Sequence, residues 1–128
     1  MHVPNVVKAR TVVTQSGLRV NWKNVSYFEI QEENNFYQIG IKWKYKASIK
    51  TEYLELNKDT DLYKYFKQHG IVKLGEYYVN LNKIITIQEK AIHGPHEKVR
   101  VRFLFTDGFE LVTVLTSTDW VWWKTTYA

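Results

Sequence analysis

VRVRFLFTDGFELVTVL, residues 99–115, is the stretch of the chain that indicates its fold most directly. Apolar and polar residues alternate on both sides of Asp107-Gly108, and a period of two is typical of half-buried β-strands. Asp-Gly between two such strands is a strong hairpin signal. A two-residue loop would pair Thr106 with Phe109. We therefore predict an antiparallel hairpin with that register.

The same period runs through most of the chain. Short strands are predicted at residues 6–13, 18–22, 27–30, 71–73, 77–80 and 84–87. A long β-rich stretch, residues 36–56, must fold back near residues 46–48. One helix is predicted near residues 59–69, with Asp59 or Thr60 as its cap and Gly70 as its stop. Residues 119–127 form either a short helix capped at one of residues 117–119, or a final strand.

These elements predict a mainly β, α+β fold in one domain spanning residues 1–128. The alternatives are a small barrel and a twisted sandwich of short antiparallel strands. The length of 128 residues and the 45% apolar content support one hydrophobic core. The absence of cysteine excludes a disulfide framework and a thiolate site. No apolar run approaches the ~20 residues of a membrane span, and we see no signal peptide, so we expect a cytoplasmic protein without membrane contact.

The charge balance favours an anionic partner. Lys and Arg number 18 against 13 Asp and Glu, and aromatic residues make up 16% of the chain. Cations attract phosphates and flat rings stack on bases, so this combination favours nucleic acid. Two predicted strands each carry a row of three cations on one face. The first row is Lys42, Lys44 and Lys46, and the second is Lys98, Arg100 and Arg102. The alternative for both rows is a solvated face, where edge lysines prevent aggregation.

Three aromatic side chains are candidates for stacking on bases: Trp43, Tyr77 and Trp122. For Trp120, Trp122 and Trp123 the alternative is that the end of the chain plugs or caps the barrel, because large aromatics commonly serve packing. If residues 119–127 are helical, Trp120 and Trp123 share a face and Trp122 points elsewhere. Stacking on unpaired bases requires an exposed ring, so we expect at least one of the three candidates to be exposed.

The sequence contains no common enzyme motif. GxSxG, GxGxxG and the GxxxxGK phosphate loop are absent. His93, His96 and Glu97 offer metal-ligand chemistry, but Gly94-Pro95 breaks the spacing of HExxH and no third strong ligand is nearby. We therefore expect a polar loop there, with no catalytic residue, no metal and no cofactor in the protein.

Residues 66–84 resemble the centre of the LytTR family of bacterial DNA-binding domains. That family has a helix, a short strand and then Val-Asn-Leu-x-x-Ile, which matches Val79-Asn80-Leu81 and Ile84 here. The Asp107-Gly108 hairpin and the strand ending at Tyr27-Phe28-Glu29 lie at corresponding places. The resemblance implies a DNA-binding transcription regulator. The family's His-Arg-Ser run is replaced by Leu74-Gly75-Glu76, so no DNA-contacting residue is carried over.

In length, basic charge and β-rich pattern the whole chain is similar to PrgU-type proteins. These small regulators belong to enterococcal conjugative plasmids and restrain production of surface adhesins for conjugation. The resemblance lies in overall character and not in a motif. It implies a PUA-like fold, RNA binding and control of gene expression.

The sequence thus predicts a small RNA-binding regulator without enzymatic activity. In this hypothesis the two cationic rows contact phosphate, and the stacking candidates contact bases. A LytTR-like regulator that binds duplex DNA is one alternative. A protein-interaction module that acts by strand addition or through an aromatic patch is the other.

Overall fold

The computed structural model describes residues 10–94 and 97–128, which form three antiparallel sheets and two helices. The strands are β1 (Thr11–Val13), β2 (Arg19–Asn21), β3 (Tyr27–Glu32), β4 (Phe36–Tyr45), β5 (Ser48–Asn57), β6 (Ile71–Leu74), β7 (Tyr77–Asn80), β8 (Ile84–Ile92), β9 (Lys98–Phe105) and β10 (Glu110–Thr116). The helices are α1 (Leu62–Lys67) and α2 (Ser117–Tyr127). Single 3-10 turns follow β2 and β7. Neither helix is long and apolar enough to cross a membrane.

The five-stranded sheet, in the order β5-β4-β3-β7-β6, is the middle layer. One of its faces packs on Trp22, on Phe66 of α1 and on the two-stranded sheet β1-β2. The opposite face packs on the three-stranded sheet β10-β9-β8 and on α2. The described sheets are open, so of the two predicted architectures the sandwich is confirmed, and the barrel is not formed.

Most predicted strands are present with shifted ends. Residues 6–9 of the first predicted strand lie outside the described residues, and residues 11–13 form β1. The predicted strand 84–87 continues to Ile92. The predicted fold-back near residues 46–48 is confirmed, because Tyr45 pairs with Ser48 across a two-residue turn. Lys46 adopts the left-handed conformation in that turn, with φ +56°, at a position where glycine is the usual residue.

The predicted register of the β9-β10 hairpin is wrong by one residue. Phe105 N–H donates to the Phe109 carbonyl at 2.9 Å, and Gly108 N–H donates to the Phe105 carbonyl at 2.9 Å. The loop therefore has three residues, with Gly108 in the left-handed region at φ +86°. The Asp107 carboxylate accepts from Phe109 N–H at 3.0 Å and stabilises this loop. As a result Phe103 pairs with Leu111, and both side chains face the core.

Both helices begin at a cap that differs from the predicted one. The cap of α1 is Asp61, whose carboxylate accepts from Lys64 N–H at 3.2 Å, and not Asp59 or Thr60. The helical alternative for residues 119–127 is correct, but Thr116 caps α2 and accepts from Asp119 N–H at 3.1 Å. Gly70 has φ +74° after α1, as its predicted role of helix stop requires.

The face of α2 that packs on the core is aromatic. Trp120 and Trp123 are stacked at 5.6 Å and contact Phe103 edge-on. The Trp123 indole donates to the Lys73 carbonyl at 3.0 Å. Trp122 lies on the other side of the helix and is 60% exposed. The prediction that Trp120 and Trp123 share one face of the helix, and that Trp122 points elsewhere, is confirmed.

Asn80, in the stretch that resembles the LytTR family, has a structural role. Its side chain is buried, and its amide donates to the carbonyls of Trp22 and Val25 at 3.3 and 2.9 Å. Its carbonyl oxygen accepts from Asn82 N–H at 3.0 Å and caps the second 3-10 turn. Buried polar groups need such partners. The side chain of Asn80 therefore connects the two 3-10 turns.

Candidate nucleic-acid interface

The outer face of β8-β9-β10 carries one of the two predicted cationic rows. Along β9 the side chains alternate, so Val101, Phe103 and Phe105 are buried. On the opposite face Lys98, Arg100 and Arg102 are exposed. The sheet places the three cations at intervals of about 6.6 Å, because residues two apart in a strand are separated by two rises of ~3.3 Å.

A fourth cation, Lys90 of β8, completes this surface. Lys90 pairs with Arg100, and Gln88 pairs with Arg102. We call Lys90, Lys98, Arg100 and Arg102 the cationic face. Lys90 lies beyond the predicted end of this strand at Ile87. Gln88, Glu89 and Lys90 are three consecutive polar residues, so no alternation extends the strand and no local signal points to Lys90.

The cationic face is open, and few ion pairs compensate its charge. It borders an open groove of about 650 Å³ that Glu89, Glu110 and Val112 also line. Arg102 donates to Glu110 at 2.6 Å, so one positive charge is compensated. Among the described residues, no carboxylate forms an ion pair with the other three cations. Like charges at this spacing repel one another, and a polyanion would relieve that repulsion.

The hairpin that carries this face is anchored to the middle sheet through Asp107. Ser26 donates its hydroxyl proton to the Asp107 carboxylate, and Lys83 Nζ lies 3.8 Å from the same group. Thr106 N–H donates to the Lys83 carbonyl at 2.8 Å. Burial, and then the nearby Asp107 charge, raise the pKa of the Tyr27 hydroxyl above its ordinary value. These contacts hold β9 and β10 at a defined place on the molecule.

The other predicted row lies on a different surface. Lys44 Nζ is 4.8 Å from the centroid of the Phe109 ring, which is on the core-facing side of β10. Lys42 borders a small cavity of about 160 Å³ with Tyr27, Tyr53 and Tyr77 among its lining residues. The two rows therefore do not form one surface.

Beyond β3 the hairpin of β4 and β5 continues as a two-stranded ribbon. β4 pairs with β3 only over residues 37–39, whereas its pairing with β5 continues to Tyr45. Residues 42–50 contain Lys42, Lys44, Lys46 and Lys50 and no carboxylate. The end of the ribbon is therefore a second concentration of positive charge.

The predicted stacking residues are dispersed. Trp43 is half-buried on β4, and its indole N–H is buried without a hydrogen-bond partner. Tyr77 is half-buried against Tyr27, and burial followed by the Glu29 charge raises its pKa. Trp122 is exposed and borders an apolar groove of about 320 Å³ beside α2. Of the described residues, none with an aromatic ring lines the groove at the cationic face.

The predicted His loop is only partly described. His93 and Gly94 lie in a loop after β8, and Pro95 and His96 are outside the described residues. Within residues 10–94 and 97–128, no group of three His, Asp or Glu side chains is arranged to hold a metal ion.

Comparisons of this chain with protein-family models, with curated protein sequences and with solved structures found no significant match.

Proposed function

We propose that the protein is a non-enzymatic, cytoplasmic RNA-binding regulator that contacts phosphates through the cationic face. The observation that carries this proposal is the exposed array of Lys90, Lys98, Arg100 and Arg102, of which only Arg102 has an ion-pair partner among the described residues. Arg100 and Arg102 add the planar donor geometry that matches phosphate oxygens.

The shape of this face favours an unpaired strand. Three strands span about 10 Å between the outer strand axes before side chains are added. The DNA major groove, about 12 Å wide, admits an α-helix or a two-stranded ribbon, and three strands with their side chains are broader than either. Single-stranded RNA can lie across it, with its phosphates over the cations and its bases directed outward. The resemblance to PrgU-type regulators leads us to place the outcome of binding in the control of gene expression, with conjugation genes of a Gram-positive mobile element as the first targets to test.

The test is fluorescence anisotropy of labelled single-stranded RNA and duplex DNA of equal length at several salt concentrations. The test variant is Lys90→Gln/Lys98→Gln/Arg100→Gln. The matched control, Arg19→Gln/Lys23→Gln/Lys64→Gln, removes the same charge from exposed positions elsewhere. We expect the test variant to lose at least tenfold in RNA affinity, and its slope of log affinity against log salt to become shallower by about 2, because each phosphate contact to a single strand contributes roughly 0.7.

The control variant should keep the affinity of the wild type within about threefold and most of its salt slope. Equal losses in the two variants would mean that only net charge matters and would remove the cationic face from the proposal. Absence of RNA binding by the wild type at low salt would refute the proposed function itself.

A second candidate function, binding of duplex DNA, is favoured by the β4-β5 ribbon. A two-stranded ribbon fits the major groove, and the end of this ribbon carries Lys46 and Lys50 at exposed positions. In the same assay, tighter binding to duplex DNA than to RNA would favour it. A Lys46→Gln/Lys50→Gln variant should then lose DNA affinity, while the variant of the cationic face keeps it.

A further inference from the structure

The two larger sheets have four edge strands, and three of them are protected from pairing with another chain. Edge strands expose unpaired N–H and carbonyl groups, and proteins block them with charges, bulges, short length or a covering segment. The edges of the five-stranded sheet are β5 and β6, and those of the three-stranded sheet are β8 and β10.

The edges of the five-stranded sheet are covered or short. Gln15 N–H donates to the Tyr53 carbonyl of β5 at 2.8 Å, and the Gln15 amide donates to Glu55 at 3.0 Å. β6 has only four residues, and its Lys73 carbonyl accepts from the Trp123 indole at 3.0 Å. A segment of the same chain therefore bonds to each edge. β5 also carries the charged residues Lys50, Glu52 and Glu55.

The β8 edge is protected by charge and irregularity. Glu89 and Lys90 are consecutive on this strand, so one charge points to each side of the sheet. A shift of register interrupts the pairing with β9 between Ile84 and Thr86. Charged side chains and bulges of this kind oppose strand addition.

Among the described residues, none gives β10 a protection of this kind. It runs for seven regular residues, and its only charged side chain, Glu110, is at its first position. The Phe109 carbonyl accepts from Phe105 N–H, and Ser117 N–H donates to the Glu97 carbonyl. The odd-numbered residues between Phe109 and Ser117 therefore point their backbone groups toward β9. The backbone groups of Val112 and Val114 consequently point outward. Their side chains are 49% and 47% exposed.

We infer that β10 pairs antiparallel with β10 of a second copy of this chain, about a two-fold axis at Thr113. That register places Val112 of one copy opposite Val114 of the other, and Glu110 opposite Thr116. All of these residues point their backbone groups outward. Each such pair exchanges two hydrogen bonds, so the free groups of both edges are satisfied together. The four valine side chains cluster on the outer face of the joined sheet.

The charges of the two edges are complementary in this register. Thr116 pairs with Lys98 within its own sheet, and Lys98 has no carboxylate partner among the described residues. Glu110 of one copy therefore lies on the same face as Lys98 of the other copy. Lys98 is on β9, the next strand after the β10 that Glu110 faces. Arg100 and Arg102 of the two copies stay apart, because both β10 strands lie between them. The joined sheet has six strands, with a cationic face on each side of the valine cluster.

The test measures the mass of the purified full chain without nucleic acid, by light scattering coupled to size-exclusion chromatography over a range of concentrations. The test variant is Val112→Glu/Val114→Glu, which places carboxylates opposite carboxylates across the two-fold axis. The same carboxylates face Arg102 and Arg100 within one copy, so the monomer should fold. The matched control is Val13→Glu/Val121→Glu, at valines with similar exposure, 48% and 54%.

We expect the wild type and the control to have twice the mass of one chain, and the test variant to weaken dimerisation at least tenfold. A Val114→Pro variant removes one outward N–H without a change of charge, and it should weaken dimerisation in the same direction. The amide protons of Val112 and Val114 should exchange at least tenfold more slowly in the wild-type dimer than in the monomeric variant.

Two results would overturn the inference. One is a dimer that persists in both β10 variants, which would place the contact elsewhere. The other is a wild-type monomer at every soluble concentration with unprotected Val112 and Val114 amides, which would leave this edge to a strand of a different protein. Both measurements are made without RNA, so their outcome is independent of the proposed function.

Discussion

The two faces of β9 differ completely in what they contact. Phe103 is fully buried and contacts Trp120 and Trp123 edge-on, whereas its neighbour Arg102 is half exposed and forms an ion pair with Glu110 across the strand pair. One face of the strand therefore holds the core together, and the other presents charge to solvent. The difference teaches that stability and surface charge can be changed separately in this protein, by substitutions at neighbouring residues.

The largest effect is expected from a substitution on the buried face of β9. Phe103→Ala should lower the free energy of unfolding by about 3–5 kcal/mol, because it removes a buried ring and leaves a cavity beside both tryptophans. Arg102→Ala on the other face should cost less than about 1 kcal/mol, as for an exposed ion pair. Denaturant unfolding of both variants measures the contrast. Similar losses in the two variants would contradict the division between the faces.

A smaller effect is expected at the loop of residues 106–108, which sets the register between β9 and β10. Gly108→Ala should cost about 1–2 kcal/mol, since an alanine at φ +86° is strained. Its Cβ would also lie 3.0 Å from Lys44 Nζ, the flexible end of a side chain that can move away. Gly94→Ala is the control, because a Cβ there meets nothing within 4 Å. Thermal unfolding of the two variants should differ; equal melting temperatures would show that the three-residue loop is not strained by a side chain.

The smallest effect concerns Glu89, which faces the opposite side of β8 from Lys90. A hydrogen bond from the Trp120 indole, and then the Lys124 ammonium, lower the pKa of Glu89 below its ordinary value of 4.5. A lowered pKa in the folded state means that the carboxylate stabilises the fold above pH 4.5. This contribution is lost as the pH falls through the lowered pKa.

Glu89→Gln keeps an oxygen that accepts from Trp120 but loses the charge. We expect the variant to melt slightly below the wild type at neutral pH and to match it in acid, below the lowered pKa. Melting temperatures measured from pH 7 downward give the difference. A gap that stays constant with pH would show that the charge of Glu89 makes no contribution.

Much of the secondary structure is predictable from local patterns. The alternation in residues 99–115 indicates two strands, and Gly70 indicates the end of α1. The register of the hairpin is not predictable in the same way, because Asp107-Gly108 suits both a two-residue and a three-residue loop. The caps at Asp61 and Thr116 lie among several Asp, Ser and Thr residues that are chemically able to serve, and only the path of the chain selects one of them.

The candidate site was predictable in part. The row Lys98, Arg100 and Arg102 follows from strand periodicity alone, because residues two apart share a face. Lys90 depends on which strand pairs with β9, and that pairing joins residues distant in sequence. The expectation that a ring would accompany the cations has no local basis. Trp122 is exposed, but α2 places it beside a separate groove.

The sequence by itself determined the elements, their two sides and the excess of positive charge, because these depend on neighbours two to four residues apart. The tertiary structure alone decided that the two cationic rows lie apart and that Lys90 joins one of them. It also decided that β10 is the unprotected edge among the described strands. These features depend on the order of strands in the sheets and on contacts such as those of Asp107 with Ser26 and Lys83. Such contacts join residues far apart in the chain, and no local pattern records them.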